Sequence, residues 1–335
     1  MADFTKALAH LMEERQHTAQ PMQGEPPPFL RDILTIVRQQ VVPGERTHAE
    51  TFARTLFPPE TFPLLHKEPA SHFARLALAG FRFLCTPTVQ EPRVRVFTPD
   101  LLQDGWEITG MALLVSLRDR PLTEMVIRNC LDANDCHIHH LLTCTLAVER
   151  DAHGTPLRMA LPAAQLPSET LLYIEIETVP HPDALTHLIS ESLSDMAAAL
   201  DDQATMQQQL ATLASTLQQQ PLASPWNMDV DGVAAFLDWL AQPQHYLFLG
   251  TRRYHFGTSG IARTVALQPG SGLGILRKEQ HSRVQTAQPL PDDTRRQLSE
   301  PPLLRVTNTH ASSPLDPRRH MDVICVKDID SAGIV

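Results

Sequence analysis

Met111-Ala-Leu-Leu-Val-Ser-Leu117, Arg118-Asp-Arg-Pro121, Leu122–Asn134 and His137–Val148 follow one another in order, and their reading decides the fold. Met111–Leu117 is an apolar run of strand length, and a polar, proline-bearing turn closes it. Within Leu122–Asn134, Leu122, Met125, Val126 and Leu131 recur at helical spacing. His137–Val148 reads as a strand that ends in Glu149-Arg-Asp-Ala-His-Gly154, a hairpin turn. Leu171-Leu-Tyr-Ile-Glu-Ile-Glu-Thr178 is a further strand, and a long helix starts near Pro182. The order strand, helix, strand, strand, helix is that of a ferredoxin-like split βαβ unit in an α/β (α+β) chain. Upstream, Arg93-Val-Arg-Val-Phe97 alternates charged and apolar side chains, which predicts a strand completing a four-stranded sheet with 111–117, 137–148 and 171–178.

The chain has 335 residues, enough for two domains. Its net charge of −10 argues against a nucleic-acid or anionic-membrane partner, which would call for clustered Lys and Arg. No apolar run approaches the roughly 18 residues of a membrane span. The opening Met1-Ala-Asp-Phe-Thr-Lys-Ala-Leu8 has no basic segment leading into an apolar core, so no secretory signal is expected and the location expected is cytoplasmic. The five cysteines (85, 130, 136, 144 and 325) form no C-x-x-C pair and read as reduced, buried small hydrophobes.

Residues 1–28 form a flexible N-terminus, with four prolines between Gln20 and Pro28. Residues 29–89 read as short helices separated by Pro58-Pro59, Pro63 and Pro69. Residues 90–220 hold the split βαβ unit and a long helix or helix pair. Leu185, Ile189, Leu193, Met196 and Leu200 make one apolar stripe and Met206, Leu210, Leu213 and Leu217 a second, with a phase shift between them. Core packing and an intermolecular coil both fit such stripes. Residues 221–231 are a linker. Residues 232–335 hold a helix at 232–241, strands at 245–250, 252–256, 303–306 and 322–327, and a glycine-rich loop. A strand followed at once by Asp328–Val335 reads as half a hairpin, as in a fragment of a longer protein, and predicts a loose edge strand.

Candidate chemistry is sparse. Pro269-Gly-Ser-Gly-Leu-Gly274 fails both G-x-G-x-x-G and the P-loop pattern and reads as a tight turn where two backbones approach. Cys136-His-Ile-His-His140 puts His137 and His139 on one strand face, with no partner motif for further metal ligands. Glu175 and Glu177 share a face and read as solvated. No catalytic constellation, cofactor site or metal site is visible. The turn Arg118–Pro121 is the exception: a helix N-terminus flanked by arginines suits the carboxylate of an amino-acid effector, with an exposed ion pair as the competing reading. Asp119, Arg120 and Asn134 are the candidate effector-binding residues.

Several blocks together resemble the N-terminal region of the large bacterial NAD-specific glutamate dehydrogenases. They are Val94-Arg-Val-Phe-Thr-Pro99, Gly105-Trp106, Asp119-Arg-Pro121, Leu171–Glu177, the long helix with Asp202 and Met206, Phe236-Leu-Asp-Trp-Leu240, His245–Tyr254, Pro269–Leu276 and Asp322–Lys327. They run in order over about residues 30–335. The chain departs from the family pattern at Asp119-Arg-Pro-Leu-Thr-Glu-Met-Val126, at Gln203 where a tryptophan is usual, and at Ser313–Arg318.

The resemblance implies an ACT-like domain at 90–220 and an incomplete PAS-like α/β domain at 232–335. It implies a regulatory or assembly segment of an enzyme that oxidises glutamate to 2-oxoglutarate and ammonia. The catalytic domain and its NAD would then lie outside these residues, and the chain alone would not be catalytic. Implied partners are other copies of the chain, the rest of its own polypeptide, or a small amino-acid effector. A purely structural oligomerisation module and a free-standing amino-acid sensor are the alternatives.

Overall fold

A computed structural model describes residues 26–58, 61, 68–87, 91–162, 167–219, 229–243, 246–259, 262–282, 284 and 286–327. The expected flexible N-terminus up to residue 25, the linker at 220–228 and the last eight residues lie outside the described residues. The rest falls into two compact units that part between Ser194 and Asp195.

The first unit opens with helices α1 (Pro28–Gln40), α2 (Arg46–Leu56) and α3 (Ala70–Cys85). Pro28 suits the first turn of α1, where its missing N–H is not needed. Leu30, Ile33, Leu34 and Val37 of α1, and Ala49, Phe52, Ala53 and Leu56 of α2, are spaced so that each set makes one buried stripe. Each such Leu, Ile or Phe, fully removed from water, contributes about 1.5–3 kcal/mol. Helix α3 comes close to α2 at Gly80, where a Cβ would stand 3.1 Å from the Phe52 ring.

These helices pack on a five-stranded antiparallel sheet of order β1-β2-β5-β3-β4. The strands are β1 (Arg93–Phe97), β2 (Met111–Arg118), β3 (Ile138–Arg150), β4 (Pro156–Ala160) and β5 (Ser168–Ile176). The expected four-stranded sheet therefore gains a fifth strand. Pro156–Ala160 returns along β3 after a turn in which Asp151 Oδ1 accepts the N–H groups of His153 and Thr155. Helix α4 (Thr123–Asp132) links β2 to β3, and both strands pair antiparallel with β5 between them. That is the split βαβ arrangement. Strand β1, although it comes first, takes the place on the far side of β2.

One face of the sheet joins the helical core through Ala112, Leu114, Cys144, Leu146, Val148, Leu171 and Tyr173. The alternate residues Leu113, Val115, Leu117, Leu172, Ile174 and Ile176 are equally buried. Burial on both faces explains why β2 reads as continuous apolar sequence instead of alternating. At the start of β3 a bulge between Ile138 and His140 breaks the alternation expected for the histidines, and His137 precedes the strand.

Helix α5 (Pro182–Gln219) is one helix of 38 residues, where a phase break had suggested a pair. The stripe continues through Met196, Ala199, Asp202 and Met206, all buried, so Asp202 occupies the position where an apolar residue was sought. Leu185, Ile189 and Leu193 are also buried within the single chain, which favours core packing over an exposed coil seam.

In the second unit, helix α6 (Val230–Ala241) packs Val233, Ala234, Leu237 and Leu240 with Ala214, Leu217 and Leu303. Strands β7 (Tyr254–Ser259), β8 (Ala262–Leu267) and β10 (Gln288–Pro289) form one sheet. Strands β6 (Gly250–Thr251) and β9 (Leu273–Gly274) form a two-residue ladder. Most of the strand expected at 245–250 is thus irregular. A short helix α7 (Asp292–Ser299), unforeseen from the sequence, precedes the last hairpin. The strands expected at 303–306 and 322–327 are parts of that hairpin, β11 (Leu304–Ser313) with β12 (Asp316–Val326). Residues 322–326 thus pair with β11, and the turn expected after them lies outside the described residues.

Candidate functional site

At the Arg118–Pro121 turn, the Asp119 N–H donates to the Ser168 carbonyl at 2.7 Å. Thr170 donates its hydroxyl to Asp119 Oδ1 at 2.8 Å and lies 3.0 Å from the Thr145 hydroxyl. Asp119 is thereby tied into the sheet. Leu122, before α4, has φ 71°, and no side chain caps the helix. Thr123 donates its hydroxyl to the Arg120 carbonyl at 3.0 Å. Asp119 and Arg120 are neighbours here, but Asn134 is not: it bonds the Cys130 carbonyl beyond the far end of α4. The ten residues of α4 separate the two ends by about 15 Å.

A second locus, which the sequence reading passed over, is a cleft of about 200 Å³ between α3, β1 and the turn at 100–105. Arg75, Ala79 and Arg82 line it from one face of α3, and Arg95 and Phe97 from one face of β1. Asp104 and Leu114 also line it. The Arg95 guanidinium lies 4.1 Å from the Phe97 ring centroid. The signal was present in the sequence as arginines seven residues apart on a largely apolar helix, a spacing that shares one face.

Beside the cleft, the carboxyl end of α3 is held by two arginines. Arg93 donates to the carbonyls of Phe83 at 2.6 Å, Thr86 at 2.9 Å and Leu84 at 3.2 Å, and to the Ser116 hydroxyl at 2.9 Å. Arg150 donates to Leu84 and Gly154 carbonyls and, through two nitrogens, to the Glu169 carboxylate at 2.5 and 2.6 Å. Burial lowers the Arg93 pKa, and the neighbouring Arg150 charge adds to this. Burial, with the nearby Glu45 charge, pushes the Cys85 thiol up to about 12. This cluster is helix capping, not chemistry.

In the second unit the buried Asp202 accepts two bonds from Arg277 at 2.7 Å and one from the Gly274 N–H at 2.7 Å. The glycine-rich loop is explained by close backbone approach. A Cβ on Gly274 would stand 2.1 Å from the Leu249 carbonyl oxygen, and one on Gly272 2.2 Å from that of Leu276. Glu175 accepts the Tyr173 hydroxyl at 2.8 Å. No group of three or more metal-binding side chains occurs among the described residues, and none of their helices is long and apolar enough to cross a membrane.

Residues 52–192 match the family model of the glutamate dehydrogenase ACT1 domain. Over 314 residues the chain is 25% identical to an NAD-specific glutamate dehydrogenase of Pseudomonas aeruginosa, covering 92% of this chain and 19% of that one. Over 258 residues it is 23% identical to the NAD-specific glutamate dehydrogenase of Halomonas elongata, covering 75% of this chain and 16% of that one. The chain thus spans about a fifth of the length of these relatives. The split βαβ sheet thus lies within a stretch that matches the ACT1 domain of glutamate dehydrogenases, and most of the chain is similar to part of the NAD-specific glutamate dehydrogenases of these two bacteria.

Proposed function

We propose that the chain is a regulatory and assembly segment of an NAD-dependent glutamate dehydrogenase and that it senses a small amino-acid effector. The observation that supports this reading is the ACT1 match at 52–192, a stretch that contains all five strands of the sheet and helix α3. Hydride transfer from glutamate to NAD is assigned to other parts of the enzyme. The segment's partners are other copies of itself or the rest of its own polypeptide, in the cytoplasm. Residues 232–335 are taken as the PAS-like portion. The effector's carboxylate is placed at the Asp119–Arg120 turn, where the first backbone N–H groups of α4 carry the positive end of the helix dipole. Calorimetric titration of the chain with each common amino acid tests this. The expected result is saturable heat for one or a few, lost in Arg120→Ala. Silence for all of them, or turnover of glutamate and NAD by the chain itself, overturns the reading.

A further inference from the structure

We propose that the cleft between α3 and β1 binds a small dicarboxylate. The site is separate from the Asp119–Arg120 turn. Arg95 pairs with Leu114, four residues before Arg118 along β2, which is about 13 Å at the rise of a strand.

The chain is acidic, with a net charge of −10, yet this cleft is lined by three arginines and one carboxylate. Among the described residues, Arg75, Arg82 and Arg95 have no carboxylate within ion-pair distance. Arg75 reaches only the Gln40 amide oxygen at 3.5 Å, and Arg95 lies on the Phe97 ring. A concave site with positive walls concentrates anions out of proportion to the net charge of the molecule. Guanidinium groups take carboxylates in paired hydrogen bonds, which a lone ammonium cannot reproduce.

Leu78, Ala79 and Leu114 give the floor of the cleft an apolar strip between the arginines. A ligand with two carboxylates joined by a few methylenes puts each charge on a guanidinium and its chain on that strip. The volume of about 200 Å³ is below the range of pockets that take drug-sized ligands, which limits the cleft to a molecule of a few carbons. Asp104 uses one carboxylate oxygen to accept the Asp100 N–H at 2.9 Å, and its charge at the rim allows, without requiring, an amino group on the ligand.

The test is calorimetric titration of the whole chain with succinate, glutarate and glutamate, against acetate and inorganic phosphate. Saturable binding of at least one dicarboxylate, stronger than acetate and phosphate, is expected. Arg82→Ala and Arg95→Ala should each weaken it roughly tenfold or more, and Arg82→Lys should restore only part. Arg120→Ala should leave the binding of succinate and glutarate, which have no amino group, unchanged. Arg82 and Arg95 are exposed, so both variants are expected to fold, and coincident urea unfolding curves verify it. No heat from any dicarboxylate overturns the proposal, as does binding that survives Arg82→Ala/Arg95→Ala or that acetate matches. Amino-acid binding lost in Arg120→Ala alone, without dicarboxylate binding, overturns this site and leaves the effector reading standing.

Discussion

Arg93 and Arg150 donate to the same carbonyl, that of Leu84, at 3.2 and 2.9 Å. One comes from the edge strand β1 and the other from the far end of β3, so the last turn of α3 is fastened to both sides of the sheet. Carbonyls at a helix end lack partners of their own, and two cations there also meet the negative end of the helix dipole. Glu169, 8% exposed, balances Arg150. Arg150→Ala strands that carboxylate in the interior and is expected to cost about 3–5 kcal/mol. Replacing both partners, Arg150→Met with Glu169→Leu, is expected to return most of the loss. Urea unfolding of the two variants reads the difference, and a loss below about 1 kcal/mol in Arg150→Ala would show a solvent-screened pair.

Two glycines predict opposite signs for the same substitution. Gly110, at φ 116°, leads into β2, and a Cβ there would stand 2.3 Å from the Ile176 carbonyl oxygen. The obstacle is backbone and cannot swing aside without opening the Met111–Ile176 pairing. Gly110→Ala should cost at least about 1–3 kcal/mol from backbone strain, with the clash added. Gly44 sits in a short helical turn with nothing within 4 Å of a Cβ. Gly44→Ala should be neutral or stabilise by about 0.4–1 kcal/mol, by restricting the unfolded chain. Equal effects at the two positions, measured by thermal unfolding, would contradict the geometry.

What the sequence disclosed depended on periodicity. β2, α4, β3 and β5 were legible because buried strands and amphipathic helices leave apolar patterns of period two or 3.6. Pro156–Ala160 was not, since β4 is a short, half-exposed edge strand with little apolar signal. Asp202 misled for the opposite reason. A carboxylate in the buried stripe looks like a phase break until its partners, Arg277 and the Gly274 N–H, come from some seventy residues away. The cleft escaped because its arginines come from a helix and a strand, and only the register of β1 on β2 sets Arg95 opposite Leu114. Asp119 and Arg120 could be paired by adjacency alone, whereas the separation of Asn134 needed the length of α4.

Hydrogen bonds from Arg277, aided by the Gly274 N–H and opposed by burial, hold the Asp202 carboxyl below its ordinary range. A carboxylate with a depressed folded pKa stabilises the fold above its unfolded value of about 3.9, and that contribution disappears as pH falls through the lower folded value. The second unit should therefore lose stability as pH falls below about 4. In Asp202→Asn that part of the slope should vanish, and stability near neutrality should fall because Arg277 loses its counter-charge. Hydrogen exchange of the amides around Gly274 follows this locally. An unchanged acid slope in the variant would assign the pH dependence to other carboxylates.

The five cysteines are all free thiols, yet their surroundings rank their reactivity. Cys325, on β12, is exposed. Cys130, Cys136 and Cys144 are buried, and burial raises the pKa of Cys136 and Cys144. Cys85 is partly exposed, but its thiol is pushed up to about 12, so near pH 8 roughly one in ten thousand is thiolate. Only the thiolate attacks disulfide reagents and alkylating agents, so exposure alone misjudges Cys85. The native chain should release one equivalent of thionitrobenzoate quickly, at Cys325, and the remaining four only on unfolding. Cys325→Ser should abolish the fast phase without changing the slow one. A fast phase that persists in Cys325→Ser and maps to Cys85 would mean that the carboxyl end of α3 opens more readily than its two arginine caps allow.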